Sequence, residues 1–160
     1  MEPNHRQVNA FHKFLEVLPH GKELDLVILK AHLLIEEQIN LVIDNNVQNP
    51  KALKAIKLTC FQKILLAQAL LPIEIDKRFW VAAEKLNNIR NLIAHNISDK
   101  GLNHKIDDFI ASVPTDWPGS NDQETFELSI WFLFVHISSF VEKQLEPSMA
   151  FYMPEVISEN

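Results

Sequence analysis

The stretch from Leu24 to Val42 restricts the fold more than any other part of this chain. Leu24, Val27, Ile28, Ala31, Leu34, Ile35, Gln38, Ile39 and Val42 recur at intervals of three and four, the period of an α-helix with one face against a core. Leu26, Leu29, Leu33 and Leu41 put a second apolar face on the same helix. A helix with two such faces has to be covered on two sides, so the rest of the chain must supply the cover. Pro19, His20 and Gly21 stop the chain before it, and Asn45, Asn46, Asn49 and Pro50 stop it after, which places the helix over residues 22–46.

The cover also reads as helix. Residues 3–18 carry Phe11, Phe14, Leu15 and Leu18 along one face. Residues 50–71 begin at Pro50, a good first-turn residue, and continue through Cys60, Phe61, Ile64 and Leu65 to the stop at Pro72. Residues 75–94 place Phe79, Ala82, Leu86, Ile89 and Ile93 on one seam. A short helix over 102–112 and a longer one over 122–145 follow, the latter with Ser120, Asn121 or Asp122 as candidate caps. With only three glycines and no alternating run, the expectation is an all-α bundle of about five to six helices. One domain spans 1–146 and a tail spans 147–160; 160 residues are enough for one sizeable core. The last helix is apolar all round, through Phe126, Ile130, Trp131, Phe132, Leu133, Phe134, Val135, Ile137 and Phe140. It is buried either at the centre of the bundle or against a second copy of the chain, and both readings stay open.

Charge and cysteine usage narrow the function classes. The net charge of -6 repels nucleic acid over the whole surface, so contact with RNA has to come from a local cluster of cations. Cys60 is the one cysteine, in an apolar run, which suits a buried thiol and a reducing cytoplasm. The N-terminus lacks the charged-then-apolar order of a signal peptide. The most apolar run, residues 128–141, holds His136, Ser138 and Ser139 and falls short of the roughly 20 residues of a membrane span. A cytoplasmic protein with no membrane contact is therefore expected.

The chemistry is concentrated in residues 85–96. Arg90 offers a permanent charge and a planar fork of donors suited to phosphate oxygens, and His95 can move a proton near neutral pH. Asn87, Asn91 and His95 are four apart and share a helix face, while Arg90 lies one position off, beside Leu86 and Ile93. That predicts a half-buried Arg90 whose guanidinium needs an acidic or phosphate partner. Two readings follow from the residues alone. Arg90 pairs with a carboxylate of the long helix and His95 caps a helix C-terminus, or the two cleave a phosphodiester.

Residues 88–95, Asn-Ile-Arg-Asn-Leu-Ile-Ala-His, resemble the motif of the HEPN superfamily, an arginine followed after four to six residues by histidine, commonly with asparagine beside the arginine. Asp25 through Ile39, with Glu36 and Glu37 in an apolar frame, resembles that family's long helix, and Phe79-Trp80 its entry to the motif helix. The resemblance covers residues 24–95. It implies a metal-independent endoribonuclease, of a defence or toxin-antitoxin type, working as a homodimer with Arg90 and His95 of both copies in one cleft. In it His95 acts in acid-base catalysis, Arg90 stabilises phosphoryl charge, Asn91 orients the phosphate or histidine, and Glu36, with Glu37 as the alternative, holds Arg90. An antitoxin or regulatory protein is the implied partner. Members with a modifiable tyrosine carry it two residues after the histidine, where this chain has Ile97. Non-catalytic members that bind a nucleotide, RNA or a protein are the alternative.

Other constellations carry less. His5 with His12, and His32 with Glu36, each offer two metal ligands, but spacing places no third, so no metal site and no cofactor is expected. His32 with Glu36 also reads as an i, i+4 pair on a helix face. Asp107 and Asp108 near His104 read as a solvated face, and Trp80, Trp117 and Trp131 as core or interface rather than base-stacking platforms.

Overall fold

The long helix, here α2 (Leu24–Asn46), runs through the middle of the molecule, and every other helix but one packs directly against it. A computed structural model describes residues 5–95, 101–115 and 119–141. In chain order the elements are α1 (His5–Val17), α2, α3 (Pro50–Leu53), α4 (Cys60–Leu70), α5 (Lys77–His95), α6 (Leu102–Ser112) and α7 (Asp122–Ser139), with no strand among the described residues. Helices α1, α4, α5 and α7 surround α2, and α6 packs on α5 and α7 at the outer side.

Local chemistry fixes the boundaries. Gly21, at φ +65°, makes the left-handed turn before α2, and its N–H donates to the Glu127 carboxylate of α7 at 3.1 Å. The asparagine run closes α2: the Asn46 side chain donates to the Val42 carbonyl at 2.8 Å, and Asn45 reaches the Val141 carbonyl at 2.7 Å. Asp76 accepts from the Arg78 N–H at 2.9 Å and so starts α5, and Asn121 accepts from the Glu124 N–H to cap α7.

The single helix expected over 50–71 is two helices. After Pro50–Leu53 the chain closes two four-residue turns, Ala55 N–H to Ala52 O and Ile56 N–H to Leu53 O. Thr59 then starts α4 with a capping box: its hydroxyl accepts from the Gln62 N–H while the Gln62 side chain accepts from the Thr59 N–H. That reciprocal pair needs an extended residue at 59, which a continuous helix cannot provide.

The apolar stripe of α2 behaves as expected, with Val27, Ile28, Ala31, Leu34, Ile35, Ile39 and Val42 buried. Its second face does not. Leu29 and Leu41 are half-buried, but Leu33 is 58% exposed and Leu26 also faces solvent. Most of the apolar surface of α7 is covered within one chain, while Val135 is exposed and Leu128, Trp131 and Phe132 are half-buried. Phe126, Ile130, Leu133, Phe134 and Ile137 are buried, and Trp131 joins a cluster of tilted aromatic rings with Phe11 and Phe14 of α1 at centroid distances of 4.8 and 4.9 Å. Of the buried polar side chains, Gln38 accepts from Ser138 at 3.0 Å, Ser129 donates to the Thr125 carbonyl, and His32 and Asn87 bond each other. No helix among the described residues is long and apolar enough to cross a membrane.

Leu86 is fully buried between helices, whereas Ile73 is 85% exposed. Leu86→Ala should cost about 2–5 kcal/mol in urea unfolding, and Ile73→Ser less than about 0.5 kcal/mol.

Candidate functional site

Where α2, α4 and α5 meet, seven polar side chains gather beside the apolar core. They are His32 and Glu36 one turn apart on α2, Cys60 and Lys63 in the first turn of α4, and Asn87, Arg90 and Asn91 on α5. The capping box at Thr59 aims the start of α4 so that Cys60 reaches within 4.8 Å of ligand atoms on both His32 and Glu36.

His32 is the buried centre of this group. Its Nε2 lies 3.1 Å from Asn87 Oδ1, and an amide oxygen can only accept, so Nε2 carries the proton and Nδ1 keeps its lone pair. Nδ1 points toward Glu36 Oε2 at 3.9 Å. Burial holds the His32 imidazole below the ordinary value of 6.5, assisted by the Arg90 and Lys63 charges and opposed by the Asn87 bond and Glu36. Burial, with the neighbouring Glu36 carboxylate, likewise pushes the Cys60 thiol up to about 11, against the pull of Lys63 and Arg90. Both groups are therefore neutral at neutral pH.

Glu36 does not hold Arg90. Its Oε1 accepts from Lys63 Nζ at 2.7 Å, because Lys63 sits one turn into α4 directly across from α2. Glu37, the alternative, turns the other way and pairs with Lys13 of α1. Arg90 is half-buried, and its Nη1 donates to Asn91 Oδ1 at 3.2 Å. Among the described residues no carboxylate lies within ion-pair distance of Arg90. The site thus carries a guanidinium held by a neutral amide, with donors to spare for an anion.

The polar stripe on α5 also differs from expectation. Asn87 is only 8% exposed and turns inward to His32; the solvent face is formed by Asn88, Asn91 and His95. His95 is exposed and is the last residue of α5. It lies five positions after Arg90, about 140° around the helix and about 7.5 Å along it. One chain therefore presents the two groups in different directions.

The remaining expectations fall out simply. His104 and Asp108 form an exposed 4.0 Å pair, as a solvated face should. Trp80 is buried and Trp131 half-buried in aromatic packing, while Trp117 and Ile97 lie outside the described residues. Cys60 and Lys63 were not assigned to the site from sequence. The available signal was a lysine three residues after a cysteine in an otherwise apolar helix, one turn from a capping residue.

The depressed imidazole gives a pH signature. The unfolded chain, with His32 near 6.5, takes up a proton before the folded chain does. Stability is therefore intact above about pH 6.5 and falls as pH drops below it, toward the lower folded-state value. Urea midpoints between about pH 7.5 and about pH 5 should fall less steeply in His32→Gln than in the parent chain. Equal slopes would place His32 in a solvated setting.

Compared with family models, with curated proteins and with solved structures, the chain matches none.

Proposed function

We propose that this chain is a metal-independent endoribonuclease whose active site is shared between two copies. The observation that carries the reading is Arg90: a half-buried guanidinium with no acidic partner among the described residues, held by Asn91, in a segment that resembles the HEPN motif. Its geometry suits a phosphate better than a structural ion pair.

The angle between Arg90 and His95 supports a composite cleft. About 140° apart on one helix, they cannot readily grip one phosphate from the same chain, but two copies facing each other can bring both kinds of group to it. His95 would take the proton from a ribose 2'-hydroxyl as that oxygen attacks the adjacent phosphorus. The 5'-oxygen leaves with a proton taken from water, and a 2',3'-cyclic phosphate remains. Arg90 neutralises charge building on the phosphoryl oxygens. Asn91 positions Arg90 through the bond it already makes. Two arginines and two histidines across an axis also create a local positive cleft on a chain of net charge -6. A toxin or defence role, restrained by an antitoxin partner, fits such an activity.

One observation favours a second reading, a non-catalytic module that binds RNA, a nucleotide or a protein through Arg90. Among the described residues no hydrogen bond orients the exposed His95 ring.

The test is RNA cleavage by purified protein with EDTA present. The parent chain should cut, and His95→Ala should lower the rate by about 10²–10⁴ while leaving the circular dichroism unchanged. Varied RNAs left intact by the parent chain, or equal cutting by the variant, would remove the catalytic reading. Retained RNA affinity without cleavage would select the binding module.

A further inference from the structure

We propose that His32 Nδ1, Glu36 Oε2 and Cys60 Sγ form a three-ligand site for a zinc-class divalent cation that ties α2 to α4. The proposal is independent of RNA cleavage, since the cation is placed to join two helices and not to touch substrate.

Four features of the cluster point this way. One ligand atom from each of His32, Glu36 and Cys60 lies within 4.8 Å of one from each of the others, two of the three side chains being one helical turn apart. A tetrahedral zinc site, with bonds of about 2.0–2.3 Å, needs ligand atoms about 3.3–3.8 Å apart, a closure of about 1 Å within reach of side-chain rotation. His32 already has the orientation that metal-bound histidines show, its second ring N–H donated to a carbonyl oxygen, here Asn87 Oδ1. That bond leaves the Nδ1 lone pair on an atom 3.9 Å from a carboxylate oxygen, two electron-pair donors close together, which a cation between them converts from repulsion to attraction. Glu36 is held by Lys63 through Oε1, so its other oxygen, the one facing His32, remains available.

Binding forms a metal–sulfur bond and releases the Cys60 thiol proton to water. With the Glu36 carboxylate already paired to Lys63, bulk charge attraction is small. The soft sulfur and imidazole donors therefore decide selectivity, favouring Zn²⁺ and Co²⁺ over Mg²⁺ or Ca²⁺. Spacing could not have found the third ligand, because Cys60 arrives from another helix 24 residues beyond Glu36.

The experiment is titration of the full chain, stripped with EDTA and desalted, with Co²⁺. One equivalent should develop the near-ultraviolet thiolate-to-cobalt charge-transfer band together with visible bands of tetrahedral cobalt. Zn²⁺ should displace it and Mg²⁺ should not. Cys60→Ser should abolish the charge-transfer band, Glu36→Gln should weaken Co²⁺ binding at least about tenfold, and His5→Gln with His12→Gln should leave the band in place. On the parent chain, Zn²⁺ should protect Cys60 from iodoacetamide where Mg²⁺ does not, a measurement that needs no variant to fold. Absence of the band, its persistence in Cys60→Ser, or alkylation equally fast with and without Zn²⁺ would overturn the proposal.

Discussion

The hydrogen bond between His32 and Asn87 fixes the register of the two helices on which the candidate chemistry depends. Apolar contacts between α2 and α5 are stabilising but tolerant of sliding, whereas a buried imidazole and a buried amide have to meet each other or be left unpaired. An unpaired buried polar group costs about 1–3 kcal/mol, so one register is selected. Gln38 and Ser138 do the same between α2 and α7. The core of Ile, Leu, Val and Phe supplies the driving force, and these two polar contacts choose the alignment it locks.

That alignment determines where the charges go. With Asn87 turned inward, Arg90 comes up at the margin of the core and Asn91 one position further out, close enough to hold its guanidinium. The capping box at Thr59 brings Lys63 to Glu36. Glu36 is thereby occupied, and Arg90 is left with its charge uncompensated by any described carboxylate. A half-buried cation in that condition is costly for the free chain and favourable for one that meets a phosphate. His95, one helical turn beyond Asn91, stands in solvent where a second molecule can reach it.

The all-helical bundle was legible because its cues are local. Pro19 and Gly21, the asparagines after Val42, and Asn121 mark ends that the structure reproduces, and the seam Phe79, Ala82, Leu86 and Ile89 is buried as its period requires. Thr59 and Gln62 carried a readable capping signature too, but the apolar run that spans them reads equally as one helix. What the sequence could not reveal was pairing across helices. Asn87 reads as part of a polar stripe until His32 is known to lie opposite it, Glu36 has two candidate cations, and Cys60 looks like a small hydrophobe until α4 is docked. The exposed Leu26 and Leu33 show the converse limit, since helical period identifies an apolar face but not whether the same chain covers it.

The central claim is that Arg90 and His95, divergent on one helix, serve one phosphate. It is tested most directly by nuclear magnetic resonance, following the Arg90 Nε–H and His95 ring signals while a 2'-O-methyl RNA oligonucleotide, which cannot be cleaved by 2'-hydroxyl attack, is titrated into the protein. The account predicts that both signals shift along one binding curve. Movement of either signal without the other, or of neither, would contradict it.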